Sequence, residues 1–406
     1  MNLQSRRQPL PAPANNHHIG TLTPGFHAGQ VVTLSAAHAL NDTYSSFLPP
    51  LLPTLIAKLA LSNTQAGLLT VFQSTPSLLQ PMIGHFADRL DLRYVVIFAP
   101  AVTGLMLSLL GAAPSYVLVA LCLLLGGVSS ASFHSVGPAM AGSLGGPKLG
   151  RTMSIWMVGG EIGFTIGPIV AVTAVKVLSL EGMPWLSIVG MIGSLILFAA
   201  LRKVPVHRPS LAKPEPWTVA LGAMTPVMLP IMAIIGARSL AAAAVGAYLP
   251  TLLTGEGMDL WRAGASLSLL QASGAVGVLI AGSLSDIIGR RRVLVASIVI
   301  TSACLFLFLN AQGWLRPVAL ILLGLGMVAI DPVALAVVQE SYPANRALAS
   351  STYMAMTFVI RSFAVVVNGA VGDHYGLRAA FGMGAVVILL GLPLVRLLPR
   401  PGPRGV

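Results

Sequence analysis

Two related stretches mark this chain: Gly84-His85-Phe86-Ala87-Asp88-Arg89 and, 198 residues later, Gly282-Ser283-Leu284-Ser285-Asp286, which Gly289-Arg290-Arg291-Arg292 follows. Each stretch ends one apolar run and precedes another. A charged, glycine-led loop that returns at about half the length of an apolar chain is typical of membrane proteins built from two related halves. The repeat therefore predicts a membrane protein in two parts.

The composition excludes an ordinary soluble domain. The chain has 406 residues, of which 55% are hydrophobic and only 9% are charged, whereas soluble domains carry about 25% charged residues. A helix needs roughly 20 apolar residues to span a bilayer. We predict an all-α membrane protein of twelve transmembrane helices in two six-helix, pseudo-symmetric bundles. The spans are predicted at residues 28–57, 66–86, 93–112, 115–140, 150–176, 183–201, 219–253, 263–285, 291–311, 314–339, 345–371 and 376–397.

The net charge of +12 indicates topology rather than nucleic-acid binding. With both chain ends in the cytoplasm, seventeen Lys and Arg residues fall in cytoplasmic segments and five in the opposite loops, namely Lys58, Lys176, Arg262, Arg316 and Arg378. This asymmetry follows the positive-inside rule. We therefore expect a protein of the inner (plasma) membrane with both termini cytoplasmic, in contact with lipid and not with nucleic acid. We also expect a monomer.

Changes in composition predict the boundaries between segments. The first residues are polar and proline-rich and lack the apolar core of a signal peptide, so we expect a disordered cytoplasmic tail. A segment with four prolines and four basic side chains predicts the linker between the halves. The boundaries are 1–27 for the tail, 28–201 for the N-terminal bundle, 202–218 for the linker, 219–397 for the C-terminal bundle and 398–406 for the C-terminal tail.

Gly84-x-x-x-Asp88-Arg89 and Gly282-x-x-x-Asp286-x-x-Gly289-x-Arg291-Arg292 resemble the signature loop of the major facilitator superfamily. Within it, His38-Ala39-Leu40-Asn41-Asp42 and Phe133-His134 resemble the fosmidomycin-resistance efflux family. The resemblance covers nearly the whole chain. It implies two six-helix halves that rock around a central site and export a drug-like compound in exchange for protons.

The repeated loops lie at predicted cytoplasmic helix ends. Carboxylates and guanidiniums there can bridge neighbouring helices and interact with helix-terminal dipoles. Breaking such bridges would change which face is open, so we expect conformational gates rather than substrate contacts. The predicted gate residues are Gly84, Asp88, Arg89, Arg93, Gly282, Asp286, Gly289, Arg290 and Arg291.

Five charged side chains fall inside the predicted spans: Asp42, Glu161, Asp331, Arg238 and Arg361. An ionised group at the bilayer centre costs roughly 2.5–3.5 kcal/mol on insertion scales. These groups must therefore face the bundle interior or a wet cavity. Three acids and two bases nearly balance, which makes pairing among them one expectation.

His38, Asn41, Asp42 and Ser45 follow the spacing i, i+3, i+4, i+7 and share one helix face. A polar stripe in an apolar helix predicts a cavity wall that binds substrate, with Asp42 as a proton acceptor. The alternative is a hydrogen-bonded seam between helices.

Three other residues are candidates for the same site. Glu161, beside Gly160 and Gly163, is predicted to couple protons, the alternative being a structurally paired glutamate in a tight helix contact. His134 and Asp331 are 197 residues apart, so they occupy equivalent positions in the two halves. We expect them to face each other across the pseudo-twofold axis and to bind substrate, with Asp331 also coupling protons. The alternative for His134 is a hydrogen-bonded core histidine.

Arg238 and Arg361 are permanent cations. Each is predicted to bind an anionic head group such as a phosphonate, using its two-pronged guanidinium. The alternative for each is neutralisation of a buried acid.

Together these patterns predict a proton-coupled secondary transporter. Our favoured interpretation is an efflux antiporter for small anionic or amphiphilic compounds. No G-x-x-x-x-G-K-[ST] loop occurs, and both cysteines lie inside spans, so we expect no ATP motor, no cofactor and no metal. No enzyme motif such as His-Glu-x-x-His occurs either. The alternatives are an importer that takes up an anionic metabolite with protons and, more remotely, a receptor or scaffold that does not transport.

Overall fold

The computed structural model describes residues 26–80, 82–83, 93–145, 148–202, 217–342 and 346–398. The first signature stretch, including Gly84, Asp88 and Arg89, lies outside these residues, as do most of the predicted linker and most of the two predicted tails. The described part of the chain is all-helical, which confirms the predicted fold class.

In the first half the α-helices are α1 (Ala28–Ser45), α2 (Leu48–Leu59), α3 (Asn63–Ser74), α4 (Arg93–Ser108), α5 (Tyr116–Gly145), α6 (Leu149–Leu178) and α7 (Ser187–Leu201). In the second half they are α8 (Trp217–Gly255), α9 (Leu260–Ile288), α10 (Arg290–Asn310), α11 (Leu315–Val328), α12 (Ile330–Ser341), α13 (Arg346–Tyr375), α14 (Leu377–Val387) and α15 (Gly391–Val395). Short 3₁₀ turns occupy Thr75–Leu79, Met183–Leu186 and Ile388–Leu390.

Each predicted span coincides with one or two of these helices, and nine of the described helices are long and apolar enough to cross a membrane. Prolines explain two of the breaks. Pro49 and Pro50 lie in the first turn of α2, where proline is tolerated, and they separate it from α1. The tenth span is interrupted at Ala329, just before Asp331-Pro332.

The second signature stretch forms the last turns of α9, and Gly289 after it makes the turn into α10. Gly289 has φ +96°, a conformation that side chains rarely adopt, which explains the need for glycine there. We name the end of the molecule that carries Gly289 and Arg202 the signature end, and the end that carries Ala60, Gly257 and Gly376 the opposite end.

The two halves contact each other through matching helices. α6 packs on α9, and α3 packs on α13. These are the fifth span on the eighth and the second span on the eleventh. Because the second half repeats the first, the two contacts are equivalent under a twofold rotation. The packing thus has the symmetry that the repeated loops indicate.

The apolar core differs between the two ends. At the opposite end one continuous cluster joins the halves and includes Leu51, Leu55, Tyr248, Leu252 and Phe308. At the signature end the halves have separate clusters, one around Phe133 and Trp156 and the other around Ile330 and Tyr353. The halves therefore meet at the opposite end and part toward the signature end.

Hydrogen bonds reinforce the contact at the opposite end. Asp373 at the end of α13 accepts from the backbone N–H groups of Asn63 and Thr64 at 2.6 and 3.0 Å, and from the Thr64 hydroxyl at 2.6 Å. Tyr248 donates its hydroxyl to the Asn63 carbonyl at 2.9 Å. Asp373 thus satisfies free backbone N–H donors at the start of α3, and these hydrogen bonds hold α3 against the other half.

Glycines on α6 allow α1 to approach closely. A Cβ added at Gly163 would lie 2.5 Å from the Ala39 carbonyl oxygen and 2.8 Å from the Asp42 Cβ atom. Small residues that let helix backbones touch are the usual solution for helix association in membranes. The first-half polar residues are therefore fixed on a tightly packed helix pair.

We expect Gly163→Ala to destabilise the fold by about 1–3 kcal/mol, because the new methyl group overlaps the backbone of α1. The matched control is Gly236→Ala in α8, where a Cβ meets nothing within 4 Å and where alanine favours the helix. The measurement is thermal unfolding of the purified proteins in detergent. Equal unfolding midpoints for the two variants would contradict the packing described here.

Candidate functional site

A cavity of about 690 Å³ lies between the two halves. Its wall is formed by α1, α3, α5 and α6 from the first half and by α8, α9 and α13 from the second. Most lining side chains are small, apolar or neutral and polar, among them Ser45, Gln73, Ser130, Gln271 and Thr357. A volume of this size is that of a site for a small organic molecule.

Two titratable side chains reach this wall among the described residues, His134 on α5 and Arg361 on α13. Arg361 is exposed to the cavity. It forms no hydrogen bond or ion pair with a described residue, although Asp331 and Arg238 are close enough to interact with it electrostatically. The cavity wall is thus largely apolar and uncharged, with neutral polar groups spread over it and one permanent cation among the described residues.

His134 belongs to a first-half cluster that also contains His38 and Asp42. His38 Nε2 lies 3.1 Å from Asp42 Oδ2, and His134 Nε2 lies 3.3 Å from Asp42 Oδ1. The two Nε2 atoms are 3.2 Å apart. Asn41 donates from Nδ2 to Asp42 Oδ1 at 3.1 Å and to the Ser130 hydroxyl at 3.2 Å.

Backbone carbonyls fix both imidazoles. His38 Nδ1 lies 2.9 Å from the Trp156 carbonyl oxygen, and His134 Nδ1 lies 2.8 Å from that of Ser130. A carbonyl only accepts, so each Nδ1 must be the donor. The Trp156 ring stacks on His38 with centroids 4.0 Å apart. Both Nε2 atoms are therefore held toward the carboxylate.

Most of this cluster lies behind the cavity wall. Asp42 and His38 are 1% and 4% exposed, whereas the His134 side chain is 31% exposed. Ser45 lines the cavity, but His38, Asn41 and Asp42 point into the contacts with α5 and α6. The geometry is that of the alternative weighed above, a hydrogen-bonded seam, and the cluster reaches the cavity through His134.

The second-half cluster is built around an ion pair. Arg238 on α8 donates from Nη1 and Nη2 to the two carboxylate oxygens of Asp331 at 2.6 and 2.8 Å. Its Nε donates to the Met327 carbonyl at 3.2 Å, next to the break between α11 and α12. Arg238 is 4% exposed, whereas the Asp331 side chain is 38% exposed. Arg238 is therefore held by its partners in this conformation.

His134 and Asp331 do not pair with each other. Each has a partner in its own half, Asp42 for His134 and Arg238 for Asp331. Glu161 on α6 is half-buried and interacts electrostatically with Asp42 and His38. Of the residues predicted for substrate binding, His134 and Arg361 lie on the cavity wall, and the others support it from behind.

The described gate residues form contacts at the signature end. Arg290 pairs with Asp286 at 2.6 Å and with Glu340 at 2.7 Å, which joins α9 to α12. Arg291 donates to the Leu398 carbonyl, and Arg93 in the first half donates to the Arg202 carbonyl at 2.8 Å. Gly282 lies within α9. These contacts tie helices together within each half, and their role as gates stays a prediction.

Three residues of the cavity wall were not predicted from the sequence. Ser130 lies one turn before His134 on α5 and contacts Asn41. Gln73 and Gln271 lie on α3 and α9 and both line the cavity. They are 198 residues apart, the spacing of the signature stretches. The repeat spacing applied to neutral polar residues would have found this pair.

Twelve predicted apolar spans in two matching halves around a central cavity are the architecture of a multi-pass membrane transporter. The family model of the Major Facilitator Superfamily matches residues 34–285 and 268–406. The chain belongs to this superfamily, and it is a transporter rather than an enzyme.

Relatives agree with this assignment. The Fosmidomycin resistance protein of Escherichia coli (strain K12) is 24% identical over 388 residues, which cover 94% of this chain and 96% of that protein. The MFS-type transporter YfnC of Bacillus subtilis (strain 168) is 26% identical over 384 residues, covering 91% and 92%. The resemblance to the fosmidomycin-resistance family is thus confirmed.

The fold is also that of solved structures. A bacterial homolog of the human lysosomal transporter Spinster, in an inward-facing and occupied conformation, aligns with a TM-score of 0.79. The alignment covers 94% of this chain and 100% of that chain at 14% identity. At this identity the likeness concerns the fold alone.

We expect Asp331→Asn to destabilise the protein, because it leaves the Arg238 cation buried without a counter-charge. The loss should stay below the roughly 3–5 kcal/mol of a fully buried pair, since Asp331 is partly exposed. Adding Arg238→Gln should recover part of it. The control is Asp259→Asn, which breaks an exposed pair with Arg262 and keeps a good helix cap. Thermal unfolding is measured for the native chain, for Asp331→Asn and Arg238→Gln alone, for the double variant and for the control, and additive losses in the double variant would contradict the coupling.

Proposed function

We propose that the protein exports small anionic compounds from the cell by alternating access, driven by the proton gradient across the inner membrane. The observation that carries the proposal is Arg361, a permanent cation on the wall of a neutral cavity with no carboxylate within ion-pairing distance among the described residues. The resistance named for the Escherichia coli relative supports export as the direction.

Arg361 supplies what an anion needs in a low-dielectric site. A guanidinium binds a carboxylate, phosphate or phosphonate through two parallel hydrogen bonds, and the water lost from both partners is replaced by that contact. Gln73 and Gln271 can add neutral hydrogen bonds from both halves. Because Arg238 is already paired with the Asp331 carboxylate, we assign the direct substrate contact to Arg361 rather than to Arg238.

Alternating access follows from the two ends of the core. We propose that both chain ends and the signature end face the cytoplasm, so that the described conformation opens inward. Release on the other side then requires the halves to separate at the opposite end. Asp373 must leave the N–H groups of Asn63 and Thr64, while the gates at the signature end close.

Proton coupling is proposed at Asp331. Its carboxylate is partly exposed, and Arg238 on α8 and Arg361 and Tyr353 on α13 face it. Binding of a proton removes the negative charge that holds Arg238, so the proton changes the charge presented to the cavity. Asp42 and Glu161 stay predicted coupling residues on the other wall.

The same charges favour a second candidate, uptake of an anion together with protons. Neutralising Asp331 leaves Arg238 and Arg361 with no counter-charge, which strengthens anion binding at low pH. Joint loading of proton and anion is the signature of symport. Export by exchange requires the reverse, an anion that binds more weakly as the proton loads, so the pH dependence of binding separates the two candidates.

We expect one class of compound in a thermal-shift screen of phosphonates, organic acids and hydrophobic drugs to stabilise the native chain but not Arg361→Gln. The reason is loss of the only permanent cation on the described wall. Arg262→Gln, which removes an exposed arginine in the first turn of α9, is the control for the change in net charge. An anion that stabilises native and Arg361→Gln chains equally would contradict the assigned contact.

We expect the anion so identified to cross the membrane of proteoliposomes at a rate that an imposed pH gradient changes. Exchange predicts faster release toward the acidic side, and symport predicts faster uptake from it. Asp331→Asn should still carry the anion down its own gradient but should ignore the pH gradient, while Asp259→Asn behaves as the native chain. Flux of the native chain that ignores pH would contradict coupling, and absence of flux would favour a receptor or scaffold.

A further inference from the structure

Three potential ligand atoms converge in the first-half cluster. They are Nε2 of His38, Nε2 of His134 and the carboxylate of Asp42, with separations of 3.1, 3.2 and 3.3 Å. In tetrahedral zinc sites nitrogen and oxygen ligands lie about 2.0–2.2 Å from the ion, which sets ligands roughly 3.3–3.5 Å apart. The triangle formed by these atoms is close to one face of such a tetrahedron.

The tautomers fit the same chemistry. Each Nδ1–H donates to a backbone carbonyl, of Trp156 for His38 and of Ser130 for His134. In the neutral ring the lone pair is then on Nε2, directed at the carboxylate. Metal-binding histidines almost always donate their second N–H in this way. Two lone pairs and a carboxylate at these distances repel one another unless a cation lies among them.

The surroundings of the carboxylate supply a second, independent indication. Asp42 Oδ2 is buried and accepts no hydrogen bond of ordinary geometry, while Asn41 holds Oδ1. The lack of a side chain at Gly160 on α6 keeps the region next to these atoms clear. A Cβ there would lie only 2.8 Å from His38 Nε2 and 3.1 Å from Asp42 Oδ2, so any other residue at position 160 would crowd the ligands.

We propose that His38, Asp42 and His134 bind one divalent first-row transition-metal ion of the Zn²⁺ type. Two imidazoles and one carboxylate form a ligand set that binds such ions in other proteins. The ion enters from the cavity past the partly exposed His134, and water or an anion completes its coordination. Cysteine spacing predicts no metal site in this chain, and the two histidines lie 96 residues apart in the sequence, so no local motif indicates them.

The charges of the first half agree with this ion. With neutral imidazoles, the Asp42 carboxylate lies buried in an apolar interior, and Glu161 lies near it on α6. A divalent cation supplies the counter-charge for Asp42, and in a membrane this removes a large cost. The inference stands on the cluster alone and does not depend on the proposed function.

The test is a metal titration of the purified, full-length protein in detergent, carrying no polyhistidine tag and first treated with a chelator. Zn²⁺ is followed by calorimetry and by competition with a chromogenic chelator, and Co²⁺ by the visible absorption of a four-coordinate site. His17→Ala with His18→Ala removes a pair of histidines near the N-terminus and defines background binding. Asp42→Asn and His134→Gln each remove one ligand.

We expect one Zn²⁺ per chain, retained in the His17→Ala, His18→Ala protein and weakened in Asp42→Asn by more than the roughly 10–100-fold that loss of an outer-shell partner causes. His134→Gln, at the cavity side, repeats the measurement if Asp42→Asn fails to fold. Asp259→Asn, the loss of an exposed acid in the other half, should bind as the native chain does.

Two results would overturn the proposal. One is binding that Asp42→Asn and Asp259→Asn weaken equally, since the site would then not involve Asp42. The other is absence of stoichiometric Zn²⁺ or Co²⁺ binding above background, which would mean that the cluster holds an extra proton instead of a metal ion. A transport assay takes no part in either result, so the proposed function can fail or succeed separately.

Discussion

The cost of charge in an apolar interior determines how this protein is built. Each ionised side chain within the spans must have a partner or reach water, because lipid offers neither. The protein meets this requirement with one cluster in each half. In the first half Asp42 lies between two histidines that backbone carbonyls fix. In the second half Asp331 holds Arg238 by both carboxylate oxygens. The cavity between the halves is then free to be largely neutral.

The two clusters have opposite charge although the halves repeat each other. The first contributes carboxylates and titratable imidazoles, and the second contributes two arginines for one carboxylate. His134 and Asp331 are equivalent in the repeat, yet one is a potential cation and the other an anion. The repeat therefore explains the positions but not the chemistry. The two walls of the cavity therefore differ, with a histidine on one and an arginine on the other.

The spans and the packing of the halves could be predicted from the sequence, because hydropathy and repeat spacing act over whole helices. The partners of individual side chains could not, since a partner depends on how each helix is rotated and how closely its neighbour approaches. Arg238 and Asp331 are 93 residues apart, and Asp331 lies just after the helix break at Ala329. Asp42 and Arg361 show the limit well: both are charged and intramembrane in the sequence, but one lies in a seam and the other on the wall. Gln73 and Gln271 lie on that wall too, and a search for charge alone passes over them.

The placement of the ion pairs also explains how the halves can move. The intramembrane pairs described here each join residues of one half, His134 to Asp42 and Arg238 to Asp331. A rigid-body rotation of one half against the other leaves such pairs intact and exposes no unpaired charge to lipid. In the proposed alternating access, the contacts that break lie at the opposite end, where apolar packing and the Asp373 hydrogen bonds hold α3. Hydrogen bonds to water replace those of Asp373 at a small net cost, whereas the apolar surface exposed there costs free energy in proportion to its area. The protein thus keeps its charge pairs inside the bodies that are proposed to move, and between them it places apolar packing and hydrogen bonds that water can replace.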